Sequence, residues 1–146
     1  MSPNRQGYVL LDQARIQLVS LWFGGAGLIF LILVIQSIAG KYEGEASDVW
    51  GWALPGIMPT LSLILAVLGT GALKTSSKQV WVRSTFLSIA FWLSAGYLAL
   101  ILITILAEPL TKYDPIALYK LSSLWLAPLQ GLVTASVGVV FFTKSE

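Results

Sequence analysis

The sequence predicts an all-α integral membrane protein with four transmembrane helices, and two observations support this fold class. Only 11% of the 146 residues are charged and 56% are hydrophobic, whereas about a quarter of the residues in a soluble domain are charged. The nine basic and seven acidic residues lie in short islands between four uncharged runs of 23 to 25 residues. A helix needs about 20 apolar residues to cross a hydrocarbon core of ~30 Å, so each run can span a bilayer.

The uncharged runs set the boundaries of the predicted spans, which are residues 16–40, 49–73, 84–107 and 121–143. The segments outside the membrane are residues 1–15, 41–48, 74–83, 108–120 and 144–146. Each is too short to fold around a core of its own, which takes about 40 residues, so the chain forms a single membrane domain. Short connections make neighbouring helices antiparallel, which favours an up-down-up-down bundle.

The distribution of Lys and Arg predicts the orientation of this bundle. Six of the nine basic residues lie in the terminal segments and the middle connection, and three lie in the other two connections. Because basic residues accumulate in cytoplasmic loops, we expect both termini in the cytoplasm. The expected location is an inner or plasma membrane, with the bacterial inner membrane as the first choice. A formal net charge of +2 does not indicate a nucleic-acid partner.

Aromatic side chains cluster near the ends of the runs, as expected of rings that favour the headgroup level. On the outer side these are Tyr42, Trp50, Trp52, Tyr113, Tyr119 and Trp125. By position in the chain, only Trp92 and Tyr97 are expected to be deeply buried, and the Tyr97 hydroxyl then needs a hydrogen-bond partner or water. The mildly amphipathic residues 7–15 either lie on the membrane surface or lengthen the first helix.

The fourth run carries the clearest stripe of small and weakly polar side chains. Ser123, Ala127, Gln130, Thr134 and Gly138 lie within an arc of about 80° on a helix that turns by about 100° per residue. Two interpretations are open. The stripe is a packing seam within the bundle, in which Gln130 bonds to another helix, or it is the wetted wall of a pore formed by several copies. In both cases the amide should avoid the lipid tails.

The second run contains two prolines that predict a kink or a hinge. Pro55 is compatible with the first turn of a helix, where no backbone donor is needed. Pro59 lies further in and should bend the helix, with Gly56 between the two prolines. The hydroxyls of Thr60 and Ser62 are the expected donors to the carbonyls that the prolines leave unpaired.

The side chains that usually perform chemistry in membranes are missing from all four runs. The runs contain no Asp, Glu, Lys, Arg or His, and the whole chain has no Cys. An ionisable residue within the membrane is the usual mark of a proton relay, an ion site or a substrate counter-ion. Activation of a Ser or Thr nucleophile also needs a nearby base. The sequence therefore predicts a non-enzymatic protein without a cofactor or a metal site.

Three functions are compatible with this description. The first is a homo-oligomeric channel or membrane-permeabilising pore, because of the polar stripe and the kink. The second is a non-catalytic accessory or anchoring subunit that binds another membrane protein, with a cytoplasmic docking site at Lys74, Lys78 and Arg83. The third is a transporter of small molecules or lipids without proton coupling. In all three the lipid bilayer is a partner, together with further copies or another membrane protein.

Overall fold

The computed structural model describes residues 7–72 and 80–142, and most of these residues are helical. The helices are α1 (Leu11–Ile38), α2 (Ala46–Ala72), α3 (Ser84–Ala107) and α4 (Pro115–Phe142). Two strands of three residues, β1 (Tyr8–Leu10) and β2 (Trp81–Arg83), precede α1 and α3. A 3₁₀ turn at Glu108–Leu110 follows α3.

Within the described residues, all four helices are long and apolar enough to cross a membrane. Only 22 to 39% of the most apolar stretch of each helix is buried inside the chain. Large apolar side chains cover the outside, among them Leu124, Leu132 and Ile103. So large an apolar surface is unfavourable in water and compatible with lipid tails. The prediction of a multi-pass membrane protein is confirmed at this level.

Three of the helices begin before the uncharged runs that predicted them. α1 begins at Leu11 rather than at residue 16, α2 at Ala46 rather than at 49, and α4 at Pro115 rather than at 121. Pro115 suits the first helical position, where the missing N–H costs nothing. The third helix, Ser84–Ala107, coincides with its run. Where the bilayer itself begins and ends on these helices stays a prediction.

A short antiparallel ribbon joins the start of the chain to the connection between α2 and α3. Tyr8 lies opposite Arg83, and Leu10 lies opposite Trp81. The sequence predicted no strand here, because three residues are too few for an alternating pattern to be recognised. Of the two alternatives for residues 7–15, the structure has Leu11 to Arg15 lengthening the first helix and Tyr8 to Leu10 forming a strand.

The ribbon also supplies backbone acceptors at the start of two helices. The N–H of Leu11 donates to the carbonyl of Val80 at 2.9 Å, and the N–H of Ser84 donates to the carbonyl of Gly7 at 2.8 Å. Neither α1 nor α3 has a side-chain cap, so these bonds satisfy helix donors that would otherwise have no partner within the helix. Gly7 has a φ of +95°, a conformation that glycine adopts without strain.

Two contacts of charged side chains connect helix ends, one at each side of the molecule. Arg15, near the start of α1, donates to the carbonyl of Phe141 at the end of α4, 2.7 Å away. A cation at the carboxyl end of a helix is favoured by the helix dipole. Lys41, which follows α1, forms an ion pair with Glu108 at the end of α3. Glu108 is therefore paired rather than left as a solvated helix end.

The aromatic residues beyond α1 and at the start of α4 form a buried polar cluster. The hydroxyl of Tyr42 donates to Oε1 of Gln36 at 2.6 Å and lies 2.9 Å from the hydroxyl of Tyr119. The ring of Trp52 stacks on Tyr119 with 4.4 Å between centroids, and its Nε1 donates to Ser122. Tyr42 and Tyr119 were expected in an interfacial belt, but both are buried between the helices.

α1 and α4 each contact all three of the other helices. α4 packs against both α2 and α3, and α3 also packs against α1. The fully buried apolar side chains come from all four helices: Leu18, Trp22, Ile29, Leu33, Ile64, Ile105, Val133 and Val137. α4 has the most extensive contacts with the other helices, and the residues that it places toward α2 and α3 form the features described below.

Gly25 on α1 packs directly against Leu98 on α3. A Cβ at this position would lie 2.8 Å from Cδ1 of Leu98, which is itself buried. The neighbouring Gly24 has nothing within 4 Å of a Cβ. Small residues at such contacts let two helix backbones approach each other within a membrane.

Gly25→Ala should be about 1 kcal/mol less favourable for folding than Gly24→Ala, because the Cδ1 methyl group of Leu98 has to rotate away from the new Cβ. Gly24→Ala is the matched control, and it should be neutral or stabilising by up to ~1 kcal/mol, since Ala favours a helix over Gly. The measurement is the free energy of unfolding in detergent, followed by circular dichroism. Equal effects of the two substitutions would contradict the close contact.

Candidate functional site

The two prolines of α2 lie in the interior of the helix. Pro55 is preceded by nine helical residues, because α2 begins at Ala46. The expectation that Pro55 occupies a first turn is therefore wrong. Proline has no N–H, so Pro59 leaves the carbonyl of Pro55, four residues earlier, without its helical donor.

Side chains from α3 and α4 donate hydrogen bonds to the backbone carbonyls of Pro55 and Gly56 on α2. Nε2 of Gln130, on α4, donates to the carbonyl oxygen of Pro55. The hydroxyl of Tyr97, on α3, donates to the carbonyl oxygen of Gly56 at 2.9 Å. The polar partner that the Tyr97 hydroxyl requires is thus a backbone carbonyl of α2. Trp92, which was expected to be buried like Tyr97, is 72% exposed on the outside of α3.

Thr60 is one of the two residues whose hydroxyls were expected to donate to a freed carbonyl, and its hydroxyl has another partner. Oγ1 of Thr60 lies 3.0 Å from Oγ1 of Thr134 on α4, and either atom can be the donor. The donor to the freed carbonyl of Pro55 is the Gln130 amide. A donor on the same helix was expected from the sequence, because Ser and Thr hydroxyls commonly reach back to a nearby carbonyl.

The stripe on α4 faces α2 along most of its length. Gln130 and Thr134 form the two hydrogen bonds to α2 described above, and Gly138 is buried beside Leu63. Ser123 donates to the carbonyl of Tyr119 on its own helix. Ala127 is exposed. These are the contacts that a packing seam between two helices requires.

A wide groove runs beside this seam and opens to the outside of the molecule. Its volume is about 760 Å³. The side chains that line it come from α2 and α4: Leu63, Ala127, Gln130, Gly131, Thr134, Ala135, Gly138, Val139 and Phe142. Most are small or apolar, and the Gln130 and Thr134 side chains reach its wall while bonded to α2.

The candidate docking site in the middle connection is only partly described. Arg83 is exposed at the end of β2 and lies opposite Tyr8 in the ribbon. Lys74 and Lys78 lie outside the described residues. The proposal that these three residues bind a partner stays a prediction.

Tyr97 and Gln130 were not recognised from the sequence as donors to the carbonyls of α2 near its prolines, although the sequence contained part of the signal. A proline within a helix frees the carbonyl four residues earlier, and Gln130 carries the amide of the fourth run's stripe. The ion pair of Lys41 with Glu108 and the Tyr42–Tyr119 contact had no comparable signal, because their partners are far apart in the chain.

No group of three or more His, Cys, Asp or Glu residues that could hold a metal ion occurs in the described parts of the chain. The carboxylates of the connection after α1, which include Glu43 and Glu45, form no such group. Comparison with protein-family models, with curated proteins and with solved structures finds no match to this chain. The function is therefore inferred from the contacts around the prolines of α2 and from the groove beside α4.

Replacement of Gln130 by Leu should destabilise the protein by about 1–3 kcal/mol, because the carbonyl of Pro55 loses its donor in a region without bulk water. In a Pro59→Ala background, residue 59 regains an N–H that can serve this carbonyl. The cost of Gln130→Leu should then fall by about 1 kcal/mol or more. A denaturant titration in detergent measures all four proteins of this cycle.

Pro55→Ala is the matched control for this cycle. It restores a donor for the carbonyl of Gly51, one turn earlier, and so should leave the cost of Gln130→Leu unchanged. If Gln130→Leu costs the same in the unsubstituted chain, in Pro59→Ala and in Pro55→Ala, the amide does not compensate for the proline.

Proposed function

We propose that the four helices cross the membrane as an antiparallel up-down-up-down bundle with both termini in the cytoplasm. The ribbon and the Arg15–Phe141 bond collect the start of α1, the start of α3 and the end of α4 at one side of the molecule. The Lys41–Glu108 pair and the Tyr42–Tyr119 contact collect the opposite ends. The side with the ribbon carries the larger share of basic residues, which supports a cytoplasmic location.

We further propose that the protein functions by associating with another transmembrane helix through the groove between α2 and α4. The observation that supports this proposal is a row of small, exposed residues of α4 within the groove. Ala127, Gly131 and Ala135 follow one another at intervals of four residues along α4, and all three are exposed. Small residues at this spacing let a second helix approach closely, which is the main source of helix association in lipid.

The occupant we propose for the groove is α4 of a second copy. Two helices with the same row of small residues fit each other about a two-fold axis, so that each contributes the same surface. The row continues past Gly131 without a charged side chain to Phe142, so no desolvation of charge opposes the contact.

Of the functions open to such an assembly, the geometry favours a non-catalytic accessory or anchoring role. The polar groups of the stripe are engaged within the chain, since Gln130 bonds to Pro55 and Thr134 to Thr60. The exposed residues of the groove are apolar, and Ala127, Gly131 and Ala135 among them are small, which suits a helix better than a column of water.

A channel formed by several copies is the second candidate, and one observation favours it. The stripe from Ser123 to Gly138 extends over sixteen residues of α4, a rise of about 22 Å at ~1.5 Å per residue step. Gln130 and Thr134 are half-buried rather than fully enclosed. A rearrangement that exchanges their bonds to α2 for water would give a polar wall of this length.

A single cysteine in place of Gly131 should form a disulfide-linked dimer in lipid vesicles, because residue 131 of each copy would lie at the proposed contact between the two α4 helices. The chain contains no other cysteine, so any cross-link must form at this position. Ile103→Cys on the outside of α3 is the control, since Ile103 is 58% exposed but lies away from the groove. The amount of dimer is measured on a non-reducing gel after mild oxidation. Equal cross-linking at the two positions would indicate random collision, and no dimer at residue 131 would exclude a second copy as the occupant.

Vesicles that contain the purified protein should be as impermeable to potassium ions as empty vesicles, because the accessory role requires no open path. The measurement is ion release, compared at equal protein content for the wild type and for Gln130→Leu. Release that scales with the amount of protein and disappears in Gln130→Leu would replace the accessory role with the channel.

A further inference from the structure

A second cavity, more enclosed than the groove, lies beside Pro55 and Gly56 of α2. Its volume is about 130 Å³. It is bounded by α2, α3 and α4, and its lining consists of Trp52, Ala53, Pro55, Gly56, Tyr97, Ile101, Ser123, Leu126, Ala127 and Gln130. All of these residues are uncharged, so the cavity has no counter-charge for a buried ion.

Three polar side chains of this cavity carry oxygen atoms that can still accept a hydrogen bond. The Tyr97 hydroxyl donates to the carbonyl of Gly56, and the Gln130 amide donates to the carbonyl of Pro55. The Ser123 hydroxyl donates to the carbonyl of Tyr119. A hydroxyl that donates its proton still has lone pairs, and an amide oxygen accepts only. The cavity therefore combines three side-chain oxygens able to accept with apolar walls that include Ile101 and Leu126.

We propose that this cavity binds a small neutral alcohol or phenol. Its hydroxyl would donate to one of the acceptor oxygens, and its apolar body would contact the walls. An apolar cavity of about 150 Å³ holds benzene in another protein, so a cavity of 130 Å³ is of the right size for a single small ring. The site does not depend on the association proposed above, because all of the lining residues belong to one chain.

Binding at this cavity should protect a cysteine placed inside it. Ala53 lines the cavity and is 3% exposed, so Ala53→Cys creates the only thiol of the chain within the proposed site. Ala135→Cys is the matched control, because Ala135 lines the groove and not the cavity. The probes are phenol and toluene, which have similar shapes and differ by the hydroxyl.

Phenol at ten times its dissociation constant should slow modification of the Ala53→Cys thiol by methyl methanethiosulfonate about tenfold. It should leave the rate for the Ala135→Cys thiol unchanged. Toluene should need about fivefold higher concentration for the same protection, because it cannot donate a hydrogen bond. Equal slowing at both positions, or protection of neither, would overturn the proposal.

The unsubstituted chain gives a second, independent measurement. Nuclear Overhauser contacts from the ring protons of phenol should reach the labelled δ-methyl group of Ile101 inside the cavity. They should not single out Leu124, which is 73% exposed on the outside of α4. Contacts to Leu124 alone would show that phenol only dissolves in the surrounding lipid or detergent, and would contradict the site.

Discussion

The hydrogen bond from Gln130 to the carbonyl of Pro55 is the interaction on which the arrangement of α2, α3 and α4 depends. A bilayer supplies no water to a backbone group that has lost its helical partner, so the protein must provide one. Pro59 removes the donor, and α4 supplies the replacement. Tyr97 makes a matching contact from α3 to the next carbonyl. These two bonds hold α4 and α3 against the same turn of α2, and the cavity lies beside that turn.

Polar contacts have a similar role at both ends of the helices. Apolar packing alone distinguishes poorly between one helix arrangement and another in lipid, because the tails compete for the same surfaces. The ribbon and the Arg15–Phe141 bond connect one set of ends, and the cluster around Tyr42 and Tyr119 connects the other. Each pairing joins segments that are far apart in the chain, so together they define which helices are neighbours and in which register.

The functional proposals follow from what these contacts leave exposed. The polar members of the α4 stripe are largely occupied within the chain, and the small residues beside them remain open to lipid. Ala127 and Gln130 line both the groove and the enclosed cavity. A molecule in the cavity would thus touch the same side chains as a helix in the groove, which gives the two proposed sites a common wall.

Composition and charge spacing were sufficient to predict four membrane-spanning helices, because a bilayer tolerates few alternatives to a run of some 20 uncharged residues. The small-residue stripe and the two helical prolines were also recognisable, since each depends on residues within one helix. The partner of the freed carbonyl, the ribbon and the buried Tyr42–Tyr119 contact were not. Each of these pairs residues that are distant in the chain, and periodicity within one segment carries no information about which residue of another segment it will meet. The tertiary structure decided that the stripe packs against the prolines of α2, where the Gln130 amide donates to the carbonyl that Pro59 leaves without a helical donor.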